Sequence, residues 1–149
     1  MQVSSDTTGS EAAEGVRTVR LCLPARAEYI ALGRLALTGL AEARAFELDV
    51  TADLKLALTE AVSNSVRHAY GADGEGQVEI RYELRPDCVC IEVVDDGEGF
   101  DPDEAPAFDG DELAEGGLGI AIIRTIADEL EIDSRPGVRG SRLRFVKNL

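Results

Sequence analysis

The chain has 149 residues, 44% of them hydrophobic and 30% charged, with a formal net charge of −14. That length gives one domain able to bury most of its unfolded surface, and so acidic a surface repels phosphate backbones, which argues against direct nucleic-acid binding and suits a basic protein partner. No stretch reaches the ~20 apolar residues of a membrane span, and the N-terminal MQVSSDTTGSEAAEG lacks the basic and apolar regions of a signal peptide, so a cytoplasmic protein without a membrane partner is expected.

Residues 1–15 are polar and rich in Ser, Thr and Gly, and read as a disordered tail ahead of a single domain from 16 to 149. Residues 16–23 alternate as a half-buried strand that Pro24 stops. An alanine-rich segment, 25–43, reads as a helix. Leu48 to Thr51 reads as a linker, with Thr51 as N-cap of a second helix over 53–70 that Gly71 ends. Two strands, 77–84 and 88–95, meet at Pro86-Asp87, and Cys88 and Cys90 share one face as small buried hydrophobes. With Cys22 they form neither a disulfide framework nor a zinc pattern. Residues 96–115 show no periodicity, a third helix runs from Gly117 through IAIIRTIADEL, and strands 131–135 and 141–147 flank the turn at 136–140. This order predicts an α+β sandwich, a mostly antiparallel sheet covered on one face by three helices.

Three segments carry candidate chemistry. On the second helix, Ala57, Leu58, Ala61, Val62, Ser65 and Ala69 form the stripe around Leu54, while Glu60 and Asn64, four apart, sit together on its flank. A carboxylate and an amide so placed can hold a hydroxyl and a Mg²⁺. His68, nearer the stripe, reads as a packing or capping residue. Next comes Asp95-Asp96-Gly97-Glu98-Gly99 at a strand end, where Gly97 and Gly99 allow a sharp turn and close approach to a flat ligand. The carboxylate of Asp95 can accept from an exocyclic amine such as that of adenine. Last, Glu115-Gly116-Gly117-Leu118-Gly119 opens a helix whose N–H groups suit phosphates, although it is neither a P-loop nor a dinucleotide fingerprint. Between these lies a loop, 101–115, with seven acids and no base, a length expected of a lid. Taken singly, each segment has an ordinary counterpart: a polar helix flank, an acidic turn, a tight glycine connection.

Their order is more specific than any one of them. A helix with E-x-x-x-N, a strand with D-x-G-x-G, a variable loop and a G-x-G helix start together resemble the Bergerat ATP-binding fold of gyrase, heat-shock chaperones, histidine kinases and MutL. Within it, PARAEYIALGRLALTGLA (24–41), TEAVSNSVRHAYG (59–71) and EGGLGIAIIRTIADEL (115–130) resemble the anti-sigma-factor serine kinases of the RsbW and SpoIIAB type. The likeness covers roughly residues 16–147.

The resemblance implies ATP and Mg²⁺ as cofactors, with Asn64 as metal ligand and Glu60 as general base on a serine hydroxyl. It places Asp95 on the adenine amine, with Gly97 and Gly99 shaping the base pocket and the Gly117-Leu118-Gly119 helix start at the phosphates. It further implies a sigma factor and an anti-anti-sigma protein of the STAS type as partners, and a homodimer. Some members carry a base just before the second glycine motif, where this chain has Glu115-Gly116; the nearest base beyond it is Arg124. The retained Glu60 points to a serine-protein kinase, the missing base to an ATP-dependent partner-switching regulator with little kinase activity.

Overall fold

The alternation of apolar and polar residues along the strands sorts them into a sheet with one buried and one charged face. The computed structural model describes residues 2–6, 15–69, 75–103 and 117–149. Its six strands are β1 (Gln2–Asp6), β2 (Arg17–Pro24), β3 (Gln77–Leu84), β4 (Cys88–Asp95), β5 (Glu129–Asp133) and β6 (Ser141–Asn148). They form one sheet in the order β1-β2-β3-β4-β6-β5, every pairing antiparallel. A 3₁₀ turn, Ala27–Tyr29, leads into helix α1 (Ile30–Ala43), followed by α2 (Leu48–Ala69) and α3 (Gly117–Ile126). Helix α2 lies on β3, β4 and β6 with α1 and α3 on its flanks, as the α+β sandwich requires.

The core sits between that helix layer and the sheet. Leu54, Ala57, Leu58, Ala61 and Val62 of α2 are buried against Ile80 and Tyr82 of β3, Ile91 and Val93 of β4, and Leu143 and Phe145 of β6. The Tyr82 hydroxyl, its ionisation pushed up by burial, donates to the Gly33 carbonyl of α1 at 2.7 Å and so ties sheet to helix. Gly33 has room for nothing more: a Cβ there would lie 2.8 Å from Ile80 Cδ1. The opposite face of the sheet is a ladder of alternating charge. Arg81 bridges Glu79 and Glu92, at 2.9 and 3.1 Å, and Arg142 reaches Glu92 at 2.7 Å. Cys90, buried on this face, and the half-buried Cys22 and Cys88 are free thiols; burial pushes each of them up.

Several boundaries differ from the sequence expectation, each for a physical reason. Gln2–Asp6, inside the segment expected to be disordered, pairs along β2 from Gln2↔Cys22 to Asp6↔Thr18. Main-chain ladder bonds satisfy an edge whatever the side chains, so polarity gave no sign of the strand. Thr51 is not an N-cap. It lies inside α2, its N–H and Oγ1 both donating to the Glu47 carbonyl, at 3.0 and 3.1 Å, and the exposed Leu48 hid the helix start from the apolar periodicity. Helix α3 ends at Ile126, although ADEL continues its pattern, because Leu130 and Ile132 pair with Phe145 and Leu143 of β6 instead. The Lys147 ammonium donates to the Ile126 carbonyl at 3.1 Å and closes that end. Tyr70, Gly71 and most of the expected lid, 104–115, lie outside the described residues.

Candidate active site

Helix α2 supplies the first half of the site. Asn64 is 4% exposed and Glu60, one turn earlier, is half-buried. The Asn64 Oδ1 is buried without a hydrogen-bond partner among the described residues. Such an atom costs stability unless something satisfies it, and native proteins leave few of them. A hard carbonyl-type oxygen beside a carboxylate fits Mg²⁺, which takes oxygen ligands and is commonly held by one or two protein groups plus phosphates.

Glu60 faces an open cleft of about 510 Å³ between the start of α1, the outer side of α2 and the first turns of α3. Ala27, Ile30, Val66, Leu118 and Ile122 make its apolar walls, and Glu60, Ser63 and Arg67 are its polar groups. Gly119 is buried in the contact between helices: a Cβ there would fall 2.8 Å from Glu60 Oε2 and 3.6 Å from Glu60 Cβ. The first turn of α3, beginning at Gly117, is thus set directly against the carboxylate. Its leading N–H groups have no partner within the helix, which is where anions bind.

The second half stands at the end of β4. Asp95 is 6% exposed and lies on the helix side of the sheet, in line with the buried Val89, Ile91 and Val93. Its Oδ1 accepts the Gly97 N–H at 3.0 Å and its Oδ2 the Ser141 hydroxyl at 2.5 Å. The carboxylate is therefore held at a fixed angle, with lone pairs left for one more donor. The turn that follows is fastened to the β5–β6 connection. The Gly97 carbonyl accepts from Gly140 N–H at 2.7 Å, and Phe100 N–H donates to Ser134 Oγ at 2.8 Å. Gly99 sits at φ +67°, where a Cβ would meet the Arg135 carbonyl oxygen at 2.3 Å and that of Val138 at 2.6 Å. Only glycine fits there.

The structure thus gathers Glu60, Leu118 and Gly119 in one cleft and Asp95, Gly97 and Gly99 in a second group, with Asn64 buried on the helix that joins the two regions. His68 packs as expected, its ring 5.4 Å from that of Phe100. Arg124 is exposed and takes no part in the cleft. Several polar residues at the site escaped the sequence reading, among them Ser63, Arg67 and Ser141. Arg67 lines the cleft; it lies seven residues after Glu60, two helical turns on and on the same face, so its spacing was a usable signal. Ser141 is the cross-strand partner of Asp95, and only the strand register reveals that. Among the described residues no group of three or more His, Cys, Asp or Glu is placed to hold a metal ion on its own.

Residues 23–147 match the family of histidine kinase-like ATPase domains. The chain is 38% identical over 143 residues to the serine-protein kinase RsbW of Bacillus pumilus, covering 89% of this chain and 88% of that one. It is 33% identical over 136 residues to RsbW of Bacillus velezensis, covering 86% and 85%. The chain belongs to the RsbW family of serine-protein kinases. A solved structure of the RsbU and RsbW domains of a Mycobacterium tuberculosis protein superposes with a TM-score of 0.61 at 20% identity, covering 86% of this chain and 32% of that one, and shows the same fold. The family match takes in both halves of the site, from Glu60 and Asn64 through Asp95 to Gly119, and leaves out β1 and most of β2.

Proposed function

We propose that this member of the family transfers the γ-phosphoryl group of Mg·ATP to a serine of an anti-anti-sigma protein of the STAS type, and that its other partner is a sigma factor. Asp95 accepts the adenine amine, Gly97 and Gly99 shape the base pocket, and the α3 start at Gly117, Leu118 and Gly119 presents N–H groups to the phosphates. Asn64 holds Mg²⁺, which when bound offsets phosphate charge. Glu60 takes the serine proton as the hydroxyl oxygen bonds to the γ-phosphorus and the bond to the leaving ADP oxygen breaks. Phosphoryl transfer asks a protein mainly for positioning and charge neutralisation, and these residues offer both.

The observation that carries the reading is the pairing of a buried, unsatisfied Asn64 Oδ1 with a Glu60 carboxylate one turn away that rests on the first turn of α3. A carboxylate opening onto a 510 Å³ cleft favours a kinase over a regulator that only binds ATP. A cytoplasmic homodimer without nucleic-acid or membrane contacts completes the proposal. The net charge of −14 supports the absence of nucleic-acid contacts, no described helix is long and apolar enough to cross a membrane, and the homodimer rests on the family resemblance.

Incubation with γ-labelled ATP, Mg²⁺ and the small anti-anti-sigma proteins of the same genome tests it. Label should pass to a serine of one of them. Glu60→Ala should lower that rate by about 10²–10⁴-fold, the usual weight of a general base, while nucleotide binding persists; a wild-type rate in this variant would remove Glu60 from the chemistry. Asn64→Ala should lose both Mg·ATP binding and transfer.

A further inference from the structure

The kinase reading leaves one charge without a counterpart. The terminal phosphate of ATP and the Glu60 carboxylate must both approach the same serine hydroxyl, and two anions meeting in a cleft repel each other. Nothing in the local sequence relieves this. Residues 101–115 contain no base, and the first base after Gly117 is Arg124, which is exposed and outside the cleft. The chain as a whole, at −14, adds to the repulsion.

The cleft itself holds one cationic side chain among its described lining residues, Arg67. It projects from the same face of α2 as Glu60. Arg67 lies about two turns after Glu60 on that face, and both line the cleft. Between the two lies Ser63, also in the lining, and on the neighbouring flank the unsatisfied Asn64 Oδ1. Across the cleft stand Leu118 and Gly119 of the α3 first turn. Carboxylate, helix start and guanidinium therefore line one cleft, with the buried Asn64 amide one turn from Glu60 on the adjoining flank.

We propose that Arg67 binds the terminal phosphate of ATP and supplies, from α2, the positive charge that the segment preceding Gly117 does not. This rests on the nucleotide-binding reading above and adds a residue to it. A guanidinium forms two parallel hydrogen bonds to a phosphate and remains charged beside Glu60. Because it engages the γ-phosphate, it distinguishes ATP from ADP, whereas Asp95 and the α3 start serve both.

Calorimetric titration of the full chain with ATP and with ADP, each with Mg²⁺, decides it. Arg67→Gln should weaken ATP by about tenfold or more, the usual worth of a charge-assisted pair, and ADP by less than about twofold. Arg67→Lys, which keeps the charge and loses the fork, should fall between wild type and Arg67→Gln for ATP. Equal losses for the two nucleotides, or no loss for either, would overturn the assignment. A wild-type chain that binds neither nucleotide would overturn the ATP reading beneath it, a result distinct from binding both with Arg67 indifferent.

Discussion

The two halves of the site are held by opposite means. The Asp95 turn is fastened to the β5–β6 connection through main chain: Gly140 N–H to the Gly97 carbonyl, Phe100 N–H to Ser134, and Gly99 against two carbonyl oxygens. Between α2 and α3, the free end of the Glu60 side chain lies over Gly119. A backbone clamp has no soft torsion to yield, which suits recognition of a flat, rigid base. A side chain over a glycine keeps its torsions, as the role proposed for Glu60 on a serine hydroxyl requires.

Substituting the two glycines breaks this contrast most directly. Gly99→Ala places a side chain in the left-handed region and drives a Cβ into carbonyls that cannot step aside. We expect a loss of about 2–4 kcal/mol in unfolding free energy, read from denaturant titration, with weaker binding of every adenine nucleotide. A variant as stable as the parent would show that the clamp is soft.

Gly119→Ala should do the reverse. Alanine suits a helix better than glycine, and the obstructing atom is the end of a flexible glutamate, so stability should stay within about 1 kcal/mol. The displaced carboxylate, however, should slow phosphoryl transfer about a hundredfold, the scale of an ångström-sized misplacement of a catalytic group. Circular dichroism melts and the labelled-ATP assay on one preparation read both quantities. Full activity would mean that Glu60 does not work from the position seen here.

The smallest effect belongs to Ser141→Ala, which removes one of the two donors on Asp95 and leaves the Gly97 N–H in place. ATP and ADP should weaken alike, by about fivefold, because the change is on the base side. A larger loss for ATP than for ADP would move Ser141, and Asp95 with it, toward the phosphates.

Local patterning alone determined a good part of this protein. The strands at 77–84 and 88–95 stand where alternation puts them, and the α2 stripe of Ala57, Leu58, Ala61 and Val62 is buried as its 3.6-residue period requires. Glu60, Asn64, Asp95 and Gly99 stood out as candidates because each belongs to a short pattern with a physical use, and the order of those patterns along the chain is more specific than any one of them. Helix α3 shows the limit: ADEL has a helical pattern, yet Leu130 and Ile132 join β5 because Phe145 and Leu143 offer them a sheet. The chain order likewise gives no hint that Ser141 faces Asp95 across 46 residues, that Gly119 meets Glu60, or that Gln2–Asp6 adds an edge strand. Those contacts follow from strand register and from how helices cross, and both are set by the packing of the whole core rather than by neighbours along the chain.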